Sequence, residues 1–270
     1  MNNHFNALFT FCLVLSVVCC CHTHRAIPVD EINTDTSSYE VSSLLLSYPE
    51  SIVGFEGGNL LFTNGDKLLF DDGKEKSFIQ LMECPDIQDM FSILYSNGDN
   101  EPEYLHDPGR IRCEAFFKII YGVSESKVRS HLVQVDWFGD KKLLFNRING
   151  AADSLRAVYI ELTNLPQEYH KYLTCASSFY WRKVRGANRL SPHSYGIAID
   201  INTSYSDYWR WAYPQATELD QLVYRNQIPE EIVKIFEKHG FISGTRWYHF
   251  DTMHFEYRPE LLLYSSIKHD

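Results

Sequence analysis

An aspartate stands inside an apolar run. Residues 196–201 read GIAIDI, the pattern of a buried strand, and Asp200 is the only charged residue in it. Burying an unpaired carboxylate costs several kcal/mol or forces protonation. The strand must therefore fold against something that neutralises Asp200, and a metal ion is one such partner. His193 lies seven positions upstream, before a turn containing Gly196. Downstream, residues 246–257 read RWYHFDTMHFEY and add His249, Asp251, His254 and Glu256. Imidazole nitrogen and carboxylate oxygen are both zinc ligands. Two histidines and one carboxylate leave a fourth position open, the pattern of catalytic rather than structural zinc. Water bound there would have its pKa lowered towards about 7. A further carboxylate could take its proton and pass it to a leaving amine. Asp251 suits that task if the chain bends before His254, because a regular strand puts positions three apart on opposite faces.

Plainer readings stand beside this one. A lone buried aspartate is often a cap or turn residue, and a lone histidine often belongs to the core. His249 could ligate in place of His254. Ser191 with His193 could suggest a serine nucleophile, but no third partner appears at a recognisable spacing.

The chain of 270 residues is 44% hydrophobic and 14% aromatic, enough for a substantial core in one large domain or two small ones. Its net charge of -10 repels phosphate backbones, which argues against nucleic acid as a partner. The first 21 residues contain no Asp, Glu, Lys or Arg. Within them, residues 7–21 (ALFTFCLVLSVVCCC) are too short for a spanning helix of about 20 residues. They fit the apolar core of a secretory leader, although MNNHFN before them lacks Lys and Arg. The stretch from Val17 to Cys21 loosely resembles a bacterial lipoprotein processing site. The expectation is export to the periplasm or cell envelope, with a lipid anchor left open. Cys84, Cys113 and Cys175 remain. Their spacing matches no zinc knuckle, and a Cys84–Cys113 disulfide is compatible with an oxidising compartment.

Residues 22–45 are polar and read as a linker. Residues 59–76 hold two short strands around the hairpin signal Asn64-Gly65. Asp71-Asp72-Gly73 reads as a second turn, because the alternating ligands of a calcium loop are missing. Residues 94–112 are loop-rich, and residues 131–138 read as a strand. Residues 151–164 are helical in pattern, with Leu155, Val158, Tyr159 and Leu162 on one face. A second helix starts at Pro229, with Glu230 and Glu231 in its first turn and Ile232, Ile235 and Phe236 as its stripe, and Gly240 stops it. Residues 253–257 form the last strand. This irregular alternation predicts an α+β fold with an antiparallel or mixed sheet and flanking helices. The expected divisions are a leader over 1–21, a linker over 22–45, an accessory region over 46–129 and a catalytic domain over 130–265. The aromatic run Tyr205, Tyr208, Trp209, Trp211 and Tyr213 reads as core cover with one or two rings exposed; a sugar-stacking groove is the alternative.

Ser191, His193, Gly196, Ala198 and Asp200 together form Ser-x-His-x-x-Gly-x-Ala-x-Asp. Asp251 stands three residues before His254, which is followed by Phe255 and Glu256. These two motifs resemble those of the zinc D-alanyl-D-alanine carboxypeptidase family, which includes VanY-type carboxypeptidases and phage L-alanyl-D-glutamate endopeptidases. The resemblance spans roughly residues 130–265. It implies the family's hedgehog-like α+β fold, with one zinc ion per chain on a small sheet. It implies His193, Asp200 and His254 as ligands and Asp251 as general base. An arginine from FYWRKVRGANRLS would stabilise the oxyanion, with Arg182 preferred and Arg185 the alternative. Ser191 would fix the turn before His193, while His249 and Glu256 would support the site from behind. The implied partner is a peptidoglycan stem peptide. The implied reaction is removal of its terminal D-alanine, with L-alanyl-D-glutamate cleavage as the rival; Asp-x-x-His leans towards that rival branch. A non-catalytic zinc-containing wall-binding module is the alternative from a different class.

Overall fold

The computed structural model describes residues 38–96, 98 and 101–269. The expected leader, the lipidation site and residues 22–37 of the expected linker lie outside the described residues. No described helix is long and apolar enough to cross a membrane.

The packed body begins earlier than residue 46. Ser38 caps helix α1 (Tyr39–Ser47) by accepting a hydrogen bond from the Val41 N–H. The helix buries Val41 and Leu44, so the end of the predicted linker is structural. Strands β1 (Ile52–Glu56), β2 (Asn59–Phe62) and β3 (Lys67–Leu69) follow as an antiparallel meander. The Asn64-Gly65 turn joins the last two, with Gly65 at φ +89°; β1 is an addition to the predicted hairpin. Ser77 and Gln80 form a reciprocal capping box at helix α2 (Phe78–Glu83). Helices α3 (Glu114–Tyr121) and α4 (Glu125–Arg129) lead into a second sheet.

That sheet is the hairpin of β4 (Leu132–Trp137) and β5 (Lys141–Asn146). Gly139 and Asp140 both take positive φ at its turn, the conformation whose twist matches that of paired strands. Helix α5 (Ala151–Leu162) buries Leu155, Val158 and Leu162 on the predicted face. After the short helix α6 (His170–Leu173), the third sheet opens with β6 (Ala198–Asp200). Helices α7 (Trp209–Ala212) and α8 (Glu230–Lys238) precede β7 (Phe241–Ser243) and β8 (His254–Tyr257). The sheet order is β6-β8-β7, antiparallel throughout. Helix α9 (Pro259–His269) closes the described chain and packs along α1.

The architecture is thus α+β, but with three small antiparallel sheets rather than one. The described residues form one compact unit. Residues 46–129 are not a separate appendage. Tyr48 donates to Glu260 at 2.7 Å, and Trp247 Nε1 donates to the Pro108 carbonyl at 2.6 Å. The three cysteines of the described body are unpaired: Cys113 is buried, and Cys84 and Cys175 are exposed, so the Cys84–Cys113 disulfide left open by the sequence is not formed.

The third sheet separates core from site by the two-residue alternation of its strands. On one face Ile199 pairs with Phe255, and Phe255 stacks on Phe236 of α8 at 3.8 Å between ring centres. Phe236 also meets Trp137 and Phe241. On the other face Asp200 pairs with His254. Phe236→Ala should therefore destabilise the protein by about 3–5 kcal/mol through the cavity it leaves. Denaturant unfolding measures that loss, and a change below ~1 kcal/mol would contradict the role given to this ring.

Candidate metal centre

His193 owes its position to a turn that admits little variation. Pro192 opens a short 3-10 turn over Pro192–Tyr195, and Gly196 closes it at φ +68° with its N–H on the His193 carbonyl. A Cβ on Gly196 would lie 2.6 Å from Leu132 Cδ2, so the β4–β5 hairpin packs where a side chain would stand. Asn146 of that hairpin donates to the Tyr195 carbonyl at 2.9 Å. The expectation for Ser191 changes in detail. Its backbone, not its side chain, ties the turn, accepting from the Ser194 N–H and donating to the Arg182 carbonyl. The hydroxyl that bridges is that of Ser194, which accepts from the Arg182 N–H and donates to the Arg182 carbonyl.

Three side chains converge at the end of β6 and β8. His193 Nδ1 lies 2.7 Å from the Ser178 carbonyl. A carbonyl only accepts, so Nδ1 carries a proton, and Nε2 is the nitrogen that faces Asp200 Oδ1, 3.1 Å away. His254 Nδ1 lies 3.0 Å from the same oxygen, because the register puts the two residues directly opposite. These three ligand atoms lie within 4.8 Å of one another. Two imidazole nitrogens and a carboxylate oxygen aimed at one point match the donors that zinc takes.

The three groups also act on one another electrostatically. Burial would raise the pKa of Asp200, but His193 and then His254 override it and hold the carboxyl well below its usual range. His254 is pushed up to about 9: burial opposes the charge, and Asp200 and Glu256 outweigh burial. Glu256 Oε2 sits 3.5 Å from His254 Nε2, which is buried and makes no hydrogen bond. Glu256 is itself fully buried and gripped by Arg112, with Arg258 at 3.4 Å. A carboxylate this close acts on the imidazole through its charge.

Asp251 reaches the site through the predicted bend. The His254 N–H donates to the Asp251 carbonyl at 2.9 Å, so the chain turns between them before β8 begins. A Cβ on Gly244 would meet the Asp251 carbonyl oxygen at 2.2 Å, which leaves glycine as the residue that fits there. Burial first, opposed by His254 and reinforced by Asp200, raises the Asp251 pKa to about 6. A carboxylate tuned near neutrality can both take and return a proton.

These groups open into a cleft of about 370 Å³, which Arg182, Arg185, Arg189, Tyr208, Trp211 and Asp251 also line. Arg182 is rooted beside the His193 turn by its backbone bonds to Ser191 and Ser194, whereas Arg185 sits at the tip of the same hairpin, next to Gly186. The aromatic run divides: Trp209 is buried, while Trp211 is 54% exposed on the cleft rim.

Residues 185–257 match the family model for D-alanyl-D-alanine carboxypeptidase. The matched segment contains His193, Asp200, Asp251 and His254, and the match supports the resemblance read from the sequence. Arg182 lies just outside it. No curated protein and no solved structure matches the chain.

His249 belongs to neither the ligand set nor its backing. Its Nδ1 lies 2.5 Å from Asp107 Oδ2, and its N–H donates to Asp107 Oδ1 at 2.9 Å. Asp107 also pairs with Arg110, and Arg110 with Glu218. Sequence reasoning missed Asp107, Arg110 and Arg112, because charges beside Pro108-Gly109 read as an ordinary turn. A second acidic group, Asp71, Asp72 and Asp86, is served by a protein cation: Lys76 Nζ sits at 3.0 Å from Asp72 and 2.8 Å from Asp86. The expected turn chemistry accounts for it.

Metal analysis separates the histidines. His193→Ala and His254→Ala should each abolish stoichiometric zinc binding, while His249→Ala should keep it and lose stability instead, since breaking a buried pair costs about 3–5 kcal/mol. Zinc lost only in His249→Ala would reassign the ligand. Glu256→Gln should keep the ligands but weaken metal affinity by about 10–100-fold, read by competition with a chelator.

Proposed function

We propose that this protein is an exported zinc peptidase that removes the terminal D-alanine from peptidoglycan stem peptides. The observation that carries the reading is the convergence of His193 Nε2, Asp200 Oδ1 and His254 Nδ1 in a cleft that also holds Asp251, inside the family-matched segment. The match supports a peptidase; the zinc and the D-alanine are our inference.

A zinc ion held by the three ligands would supply Lewis acidity to the scissile carbonyl and acidify the attacking water. The chain's own residues do the rest. Ser178 holds His193 in the tautomer that leaves Nε2 free. Glu256 lies 3.5 Å from the opposite nitrogen of His254 and favours a positive charge there. Asp251 takes the proton from water as it attacks the carbonyl carbon, then delivers it to the nitrogen as the C–N bond breaks. The Arg182 guanidinium, on the cleft wall, holds the developing oxyanion.

The Asp-x-x-His form keeps L-alanyl-D-glutamate cleavage as the second reading. The presence of Asp251 weighs against a non-catalytic wall binder, which has no need of a base.

Mass analysis of a digested stem pentapeptide tests the proposal, and free D-alanine with the matching tetrapeptide is expected. Cleavage after L-alanine would shift the reading to the endopeptidase. Zinc and wall binding without any release would favour the binding module. Asp251→Asn should lower kcat by about 100–10,000-fold with zinc retained. Arg182→Ala should lower it by ~100-fold or more, with little change in zinc content; an unchanged kcat would turn attention to Arg185.

A further inference from the structure

The tryptophans are not used alike. Trp137, Trp209 and Trp247 are buried, and Trp137 and Trp247 each donate the indole N–H to a backbone carbonyl. Trp211 does neither. It is 54% exposed on the cleft rim, and its N–H has no hydrogen-bond partner among the described residues.

Its place is fixed nonetheless. The Trp209 N–H donates to the Phe250 carbonyl at 2.9 Å, and Tyr208 bridges Asp251. The start of α7 is thereby tied to the segment that carries the proposed base. Tyr208 then meets Trp211 at 5.6 Å between ring centres, with 89° between the planes. An edge-on contact of this kind covers at most one face of the indole.

The charges on this wall of the cleft are already matched. Glu218 accepts from Arg110 and from Arg210, each at 2.9 Å, and Arg110 also donates to Asp107 at 2.7 Å. Two guanidiniums and two carboxylates cancel, so the wall singles out neither an anion nor a cation. It offers an open aromatic face beside polar groups, which suits a neutral guest with one apolar side and a polar edge. A pyranose ring has that character. Its C–H bonds, polarised by the neighbouring oxygens, meet the electron-rich face of an indole, and its hydroxyls can accept from a guanidinium and donate to a carboxylate. An alkyl side chain would use the face alone.

We propose that Trp211 is a stacking platform for a sugar ring of the glycan that bears the stem peptide, so that the protein takes a glycopeptide in preference to the bare peptide. This rests on the stem-peptide reading. Trp211 positions the substrate and takes no part in bond breaking.

Calorimetry with two probes tests it: the N-acetylated stem pentapeptide, and the same pentapeptide joined to N-acetylmuramic acid. The two differ in the sugar and not in charge. The zinc-loaded Asp251→Asn protein prevents turnover. It should bind the glycopeptide about 3–10-fold more tightly, the range of one aromatic stacking contact. Adding Trp211→Ala should bring the ratio close to 1, while Trp211→Tyr, which keeps a ring, should retain part of it. Equal affinities before Trp211 is changed, or no binding of either probe, overturn the platform. So does a ratio that survives Trp211→Ala, including a loss that falls equally on both probes. Turnover with Asp251 restored keeps the two readings apart. A Trp211-dependent preference without D-alanine release would sink the carboxypeptidase and leave the platform standing. D-alanine released from both probes, with equal affinities, would sink the platform and leave the peptidase.

Discussion

The pairing of β6 with β8 is the constraint on which the site depends. Antiparallel register sets Asp200 opposite His254 and, one step along, Ile199 opposite Phe255. Alternation then sends the first pair to the cleft and the second to the core. A slip of one residue would exchange them, burying the ligands among phenylalanines and exposing Phe255. The stack of Phe255 on Phe236 therefore does more than fill space: it opposes the slip that would dismantle the metal site.

Behind that sheet lies a second layer of order built from charge. Glu256 is fully buried, and burial alone would raise its pKa. Arg112 and Arg258 reverse that, holding it well below the usual carboxylate range. Arg258 in turn bonds Glu260, which accepts from Tyr48. The chain of contacts runs from the back of His254 to the start of the folded body. Removing one member would leave its neighbour charged and unmet in a low-dielectric setting, which is more harmful than never having buried the pair. This network makes residues 46–129 part of the support behind His254 and the candidate metal site.

Much of the site was legible in the primary structure for a local reason. Asp200 announces itself by standing in an apolar strand, Gly196 by its place in a tight turn, and Asp251 by its spacing from His254. Helices α5 and α8 and strands β4, β6 and β8 were equally readable, since their apolar periodicity is strong. The short elements α1, β1, α2 and α3 were not. Their character comes from what they pack against, as α1 does with α9. Arg182 was preferred and Arg185 kept as the alternative along the chain, and the backbone bonds around Ser194 distinguish their settings.

The amino-acid sequence by itself determined the candidate donor set, because ligand chemistry depends on residue type and the two motifs carry His193, Asp200, His254 and Asp251. It also determined which strands hold them, through the period of two. Tertiary structure alone decided which groups back those ligands. Glu256 acts only because Arg112 arrives from 144 positions away, and His249 is claimed by Asp107 from 142 positions away. Pairing between distant charges follows from folding, which brings them within a few ångströms, and no local pattern records it.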